Sequence, residues 1–339
     1  DTALNLKLGR QPLTYGHGIT FDSTTYGGDA LQAYGTFNGV KASLAAVKLR
    51  ETGDVPTQED RDFYALSLGF EPAKGHALEV YVQNHRDNAL PPTSVPTAVK
   101  TDAKGYTAGG ADEYTIGVAW TGKYGATTAK AELAFQTGDA YKYGSPGAYT
   151  TVDREAWGLR AAVDHKIDIY TIGLDFGYGS GNDKNPTVPG YNKDKGFYQP
   201  FYVDGGRFGA TAEWGNPGSF TLGDGTYSRK FTFTGLNNIW FLTLEGKAAV
   251  TKTWTLKANA SYVNAVETYD GMGSATITGK PDKELGWDIS GLVTWKPYKN
   301  LTVNGFVGMF VPGDYFTSGV TDAKDDNAYF ANVHAIVTF

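Results

Sequence analysis

The sequence predicts an all-β fold: a transmembrane, antiparallel up-and-down β-barrel of about 14 strands (14 to 18 allowed), forming one domain over residues 1–339. Three observations predict it. Apolar and polar residues alternate with a period of two over long runs. Aromatic residues stand at both ends of the apolar set in those runs. The connections between runs are alternately short and long.

The runs are, in order, approximately 3–9, 30–37, 40–50, 62–70, 77–86, 113–122, 127–138, 154–165, 167–179, 239–250, 254–268, 283–296, 300–312 and 328–339. In one of them Tyr114, Ile116, Val118 and Trp120 alternate with Thr115, Gly117 and Ala119. In another Trp254, Leu256, Ala258, Ala260 and Tyr262 alternate with Thr255, Lys257, Asn259 and Ser261. Successive side chains of a strand point to opposite faces, so each run has one apolar and one polar face. A soluble sandwich shows the same alternation, and length and ends decide between them. Most of the runs span roughly 9 to 13 residues, against a usual globular strand of about 5 to 6 and about 9 to 11 for a tilted membrane-crossing strand. Terminal aromatics such as Tyr114 and Trp120, Tyr170 and Tyr178, Trp254 and Tyr262, and Trp287 and Trp295 suit the two water–lipid interfaces.

Short connections fall near Asn38-Gly39, 71–76, 122–126, 165–166, 251–253 and 297–300. Long ones fall near 10–29, 51–61, 87–112, 139–153, 180–238, 269–282 and 313–327. Short turns on one side and long loops on the other are the pattern of outer-membrane barrels. Stretch 180–238 is too long for a plain connector. It is expected to fold into the barrel mouth, with a surface lid as the alternative, and has room for a hairpin of 206–214 with 227–234.

Composition narrows the class further. The chain holds 44 Gly, 22 Tyr, 18 Phe and 7 Trp but no Cys, and no stretch approaches the roughly 18 to 20 apolar residues of a transmembrane helix. Only helices and closed barrels satisfy every backbone group inside a bilayer, so a spanning protein of this composition must use strands. The net charge of −6 contains no block of like charge, which argues against a nucleic-acid partner. The lack of cysteine fits an exported protein without disulfides. No export leader is visible before Asp1, so a leader is expected to have been removed or to lie upstream. At the other end Ala331, Val333, Ala335, Val337 and Phe339 alternate up to a terminal aromatic. That end resembles the strand through which outer-membrane barrels engage the barrel-assembly machinery. The expected partners are therefore this machinery, outer-membrane lipid and lipopolysaccharide, and small hydrophilic solutes.

Several stretches resemble the alginate-export family of bacterial outer-membrane porins. Leu8-Gly9-Arg10-Gln11 followed by Tyr15-Gly16 resembles its strand-end motif. Gln136-Thr137-Gly138-Asp139 resembles a strand exit, and Gly179-Ser180-Gly181-Asn182-Asp183 with the aromatic stretch Phe197–Tyr202 resembles a second Gly-Asp loop. The family barrel has about eighteen strands and its Gly-Arg-Gln strand is not the first, which implies either further strands upstream or a shorter relative. Its exporter has a strongly basic lumen, whereas the polar face here is mixed.

That face carries Lys7, Lys48, Arg50, Lys130, Arg154, Arg160, Lys247 and Lys257 together with Glu79, Glu132, Asp164, Asp175, Glu245 and Asp288. A Lys or Arg facing lipid at the bilayer midplane costs roughly 2–4 kcal/mol, so these groups belong inside. There they either line a wet channel or form ion-pair ladders between strands. The candidate pore-lining set is Arg10, Lys130, Glu132, Arg154, Arg160, Asp175, Glu245, Lys247, Lys257 and Asp288. Arg154 and Arg160 would make a basic track, because guanidinium groups hold planar anions in fixed geometry. Arg10 either faces the lumen or is a rim arginine tied to loop carbonyls.

His17, His76, His85, His165 and His334 share no metal-ligand spacing, and no metal or cofactor is expected. The acidic stretches 182–183 and 322–326 read as solvated loops, with Ca²⁺ ligation as the alternative. These readings point to an integral outer-membrane channel for passive diffusion of small hydrophilic or charged solutes, saccharides included, and not to an enzyme. The alternative is a structural or adhesive barrel with a plugged lumen. An outer-membrane hydrolase comes last: His85 and His334 are expected to face inward, but no Gly-x-Ser-x-Gly or comparable nucleophile surrounds them.

Overall fold

The computed structural model describes residues 4–24, 27–50, 60–87, 110–145, 148–185, 191–199, 201–202, 219–221, 230–232, 235–272, 277, 279–319 and 326–338. Fourteen strands form one antiparallel wall in sequence order. They are β1 (Asn5–Gln11), β2 (Gly28–Phe37), β3 (Val40–Arg50), β4 (Arg61–Ala73), β5 (His76–Asp87), β6 (Asp112–Tyr124) and β7 (Thr127–Ser145). Then come β8 (Ala148–Ile167), β9 (Tyr170–Gly179), β10 (Ile239–Ala248), β11 (Trp254–Ala265), β12 (Glu284–Tyr298), β13 (Leu301–Pro312) and β14 (Ala328–Val337). Each pairs with its neighbour in sequence, as hairpins joined by short turns require. At the first short turn Asn38 and Gly39 both take positive φ, 50° and 83°, the conformation of a tight two-residue hairpin. Among the described residues β1 and β14 are not hydrogen-bonded to each other.

All fourteen runs read from the alternation are strands here, with ends moved by a few residues. The large difference is at 139–153. β7 and β8 stay paired out to Ser145 and Ala148, so this stretch is mostly an extension of the hairpin and not a loop. Tyr141, Val152 and Tyr191 pack on it as a small core of their own, which supplies the burial that a free ribbon lacks. Of the hairpin expected in 206–214 and 227–234, most lies outside the described residues; Ser219–Thr221 pairs antiparallel with Lys230–Thr232.

The outer face is apolar and exposed. Leu174 is 47 % exposed, Leu244 53 %, Ile116 55 % and Leu31 51 %. Two belts of outward rings bracket this band. Near the long loops Trp157 stacks on Tyr178 with centroids 4.3 Å apart, and Tyr262 lies 4.9 Å from Trp287. Near the short turns Trp254 stacks on Trp295 at 5.4 Å, and His76 meets Tyr124 at 5.1 Å. Trp254 and Tyr262 are eight residues apart on β11. At about 3.3 Å per residue this is roughly 26 Å along the strand, close to the apolar height of an outer-membrane barrel. An apolar surface of this size is not stable against water, and it is that of a membrane-spanning wall.

The wall curls round an interior. Ala134 and Ala156 of β7 and β8 share one buried cluster with Leu285 and Phe310 of β12 and β13, strands four or more positions away along the sheet. Inward glycines make space for inward rings on the next strand. Gly117 stands opposite Tyr81 and Gly177 opposite Phe241. A Cβ at Gly117 would lie 2.1 Å from the Tyr81 ring, and one at Gly177 1.9 Å from that of Phe241.

Candidate functional site: a lumen narrowed by two inward segments

Residues 12–23, the first long connection, do not lie outside the wall. They turn back into the lumen as a strap whose Leu13, Tyr15, Ile19 and Phe21 are between 0 % and 5 % exposed. Leu13, Tyr15 and Phe21 pack on Ala45, Val47, Phe63 and Ala65, the inward face of β3 and β4. Phe21 stacks on Phe63 with centroids 4.1 Å apart. The tip of the strap is held by two carboxylates of the wall. The Gly16 amide donates to Glu79 Oε2 at 3.2 Å and the His17 amide to Glu132 Oε2 at 2.6 Å. Tyr81 donates its hydroxyl to the other oxygen of Glu132 at 2.5 Å. Gly16 takes a φ of +59°, and a Cβ there would sit 2.3 Å from Glu132 Oε1, so only glycine fits this seat.

The described part of 180–238 also folds inward. Phe197 is fully buried against Gly158, where a Cβ would come within 2.7 Å of the ring. Gln136 grips the main chain of Tyr198 twice, accepting from its amide at 2.8 Å and donating to its carbonyl at 2.6 Å. Arg154 donates to the Gly196 carbonyl at 2.6 Å, pairs with Glu113 at 2.5 Å and Asp194 at 3.0 Å, and lies under the Tyr198 ring. His85 adds Nδ1 at 3.2 Å from Glu113. The two inward segments are joined: Phe21–Asp22 pairs in parallel with Phe201–Tyr202, and Gln199 donates to the Ile19 carbonyl.

Among the described residues, two polar cavities lie on the inner side. One, of about 340 Å³, lies between the strap residues Thr14 and His17 and the β7–β10 wall, lined by Lys130, Arg160, Asp164, Asp175 and Glu245. The other, of about 610 Å³, is lined by Asn5, Lys7, Gln32, Ser43, Ser67 and Glu79. The first is crossed by ion pairs between adjacent strands. Arg160 grips both oxygens of Asp175 through two nitrogens, and Lys257 reaches Glu245 at 3.1 Å. Such pairs keep inward charge compatible with a narrow lumen.

The candidate residues therefore separate by position. Lys130, Arg160, Asp175 and Glu245 line the cavity, and Lys257 adjoins it through Glu245. Lys247 faces Lys257 across the strand pair and is exposed. Glu132 is inward but only 1 % exposed; it seats the strap and does not line open space. Arg154, at 3 %, is a latch for the second segment, so the expected Arg154–Arg160 track is not continuous. Asp288 is also 3 % exposed, beside Ser261 and Phe310 in register. Arg10 is a correction. It shares the outer side of β1 with the exposed Leu6 and Leu8 and binds Asp29 at 2.8 Å on the rim, where this contact holds the Asp29 carboxyl below its usual range. Lys48 is corrected likewise: Ala45 and Val47 face in, and Lys48 pairs outside with Asp60 at 2.9 Å and Asp62 at 3.0 Å. Asp183 pairs with Lys195 at 3.2 Å; residues 322–325 and Phe339 lie outside the described residues.

The chain matches no family model and no curated protein sequence. The alginate-export resemblance thus rests on its motifs alone. The wall is similar to several solved structures from Pseudomonas aeruginosa. OpdL is 10 % identical with a TM-score of 0.48, over 100 % of this chain and 79 % of that one. OccK8 (OprE) is 10 % identical with a TM-score of 0.48, over 98 % and 77 %. OccK11 (OpdR) is 8 % identical with a TM-score of 0.47, over 99 % and 78 %.

Proposed function

We propose that this chain is an integral outer-membrane channel through which small hydrophilic solutes diffuse passively. One observation carries the reading: a polar cavity crossed by ion pairs lies inside a wall whose outside is an apolar band between two aromatic belts. Charge on the inside of such a wall is stable when water reaches it. The path runs between the strap tip and the Lys130–Arg160–Asp175–Glu245 face, and Lys257 and Lys247 continue it toward the short turns. The strap and segment 191–202 narrow it from the long-loop side. Lipid and lipopolysaccharide cover the outer band, and the last strand serves assembly.

A second reading is a plugged structural barrel. It is favoured by the apolar cluster of Ile19, Phe197, Leu236, Phe241, Phe310 and Phe316, which fills part of the interior with side chains that exclude water. Single-channel recording of the purified protein in a planar bilayer separates the two. Steady ohmic steps support the channel; a silent, folded protein supports the plug.

A further inference from the structure

We infer that the cavity beside the strap is a binding site for small amphoteric solutes of the α-amino-acid type, with Lys130 receiving the carboxylate and Asp164 the ammonium. The inference rests on the channel reading and names the solute class of that path. Most charges in the cavity are already answered: Arg160 is held by Asp175, and Glu245 by Lys257. Lys130 and Asp164 line the same space, and neither takes part in an ion pair with a described residue.

Their placement sets the spacing. Lys130 stands opposite Ala162 and Thr128 opposite Asp164, so the two charges are diagonal neighbours on the inward face of β7 and β8. Diagonal neighbours lie about 7–8 Å apart along the backbone, within reach of a long side chain, yet Lys130 and Asp164 each keep their charge on the cavity. An α-amino acid can sit over the pair, its carboxylate accepting a charge-assisted hydrogen bond from the Lys130 ammonium and its own ammonium donating one to Asp164, each about 2.8 Å long. Gly173, next to Asp164 across the β8–β9 pair, keeps the acid side open, because a Cβ there would lie 2.5 Å from Asp164 Oδ1. The cavity of about 340 Å³ holds a solute of roughly ten heavy atoms with some water. An anion alone meets Asp164, Asp175 and Glu245, and a cation alone meets Lys130 and Arg160; a solute carrying both signs meets neither penalty.

The test is solute block of single-channel current at pH 7, with L-glutamine as the amphoteric probe and xylitol as an uncharged probe of similar size. Glutamine is expected to reduce the current at lower concentration than xylitol. Lys130→Met and Asp164→Asn should each weaken the glutamine block about threefold to fivefold, the effect of one solvated ion contact, and leave the xylitol response unchanged. Equal block by the two probes, or a glutamine block unaltered in both variants, overturns the site. If the protein passes no current, the channel reading fails separately. Saturation-transfer NMR of glutamine with the micelle-solubilised protein then decides the site alone. A signal reduced in both variants supports it, and an equal signal in all three proteins refutes it.

Discussion

Replacing Gly16 with valine should lift the tip of the strap from its seat. Gly16 has a φ of +59°, and a Cβ would stand 2.3 Å from Glu132 Oε1, 2.6 Å from its Cδ and 3.0 Å from the Tyr81 ring. The left-handed backbone costs an L residue at least about 1–2 kcal/mol. The clash also separates the Gly16 and His17 amides from Glu79 and Glu132, two charge-assisted bonds together worth about 3–6 kcal/mol. The flanks resist, since burying Leu13, Tyr15, Ile19 and Phe21 contributes about 1.5–3 kcal/mol each. The tip should therefore rise while the strap stays docked. Single-channel recording should show larger conductance and more open-channel noise, with the wall unfolding at an unchanged temperature. Gly125→Val is the control: φ is +61° there, so the strain is similar, but no atom lies within 4 Å of the new Cβ. If Gly16→Val conducts like the parent and like that control, the strap does not border the path.

Other outcomes follow from the same structure. Leu244→Arg puts a charge on the outward face near the middle of β10 and should destabilise insertion into vesicles by about 2–4 kcal/mol; an unchanged stability would place that face away from lipid. Arg154→Met leaves Glu113 and Asp194 buried without their cation and should loosen 191–199 by about 3–5 kcal/mol, seen as faster proteolysis of that segment in an intact wall. On the outer hairpin, burial and the nearby Asp194 carboxylate push the Tyr141 and Tyr191 hydroxyls well above the ordinary phenol range. A raised folded value stabilises below the unfolded one of about 10 and is lost as pH rises above it, so this hairpin should resist protease up to pH 10 and yield progressively beyond, with two tyrosines silent in the ultraviolet titration until then.

The wall was legible because a half-buried strand repeats its environment every two residues. Tyr114 to Trp120 needed no other information to be placed outward, and the inward places of Lys130, Arg160, Asp175 and Glu245 followed from the same parity. Parity misleads where small residues occupy both faces of a run. Arg10, left open between lumen and rim, shares the parity of the outward Leu6 and Leu8, and Lys48 that of the outward Leu44; in β3 the small Ala42, Ala45 and Ala46 blur the alternation, so Lys48 was assigned to the wrong side. The strap was not legible. Pro12–Ser23 reads only as part of a long connection, and its destination depends on Glu79, Tyr81 and Glu132, more than fifty residues away. One signal was present in the chain: inward glycines at 117, 158 and 177 imply rings lying over them, and two of those rings, Tyr81 and Phe241, stand directly opposite in register. Phe197 over Gly158 comes from a loop, which no local pattern reveals.

The most direct test of the central claim is single-channel conductance of the purified protein in a planar bilayer, with the reversal potential read under a salt gradient. The account predicts steady ohmic current with weak ion selectivity, because the path charges nearly balance: Lys130, Arg160, Lys247 and Lys257 against Asp164, Asp175 and Glu245. A correctly folded protein that passes no current, or passes ions of one sign alone, would contradict it.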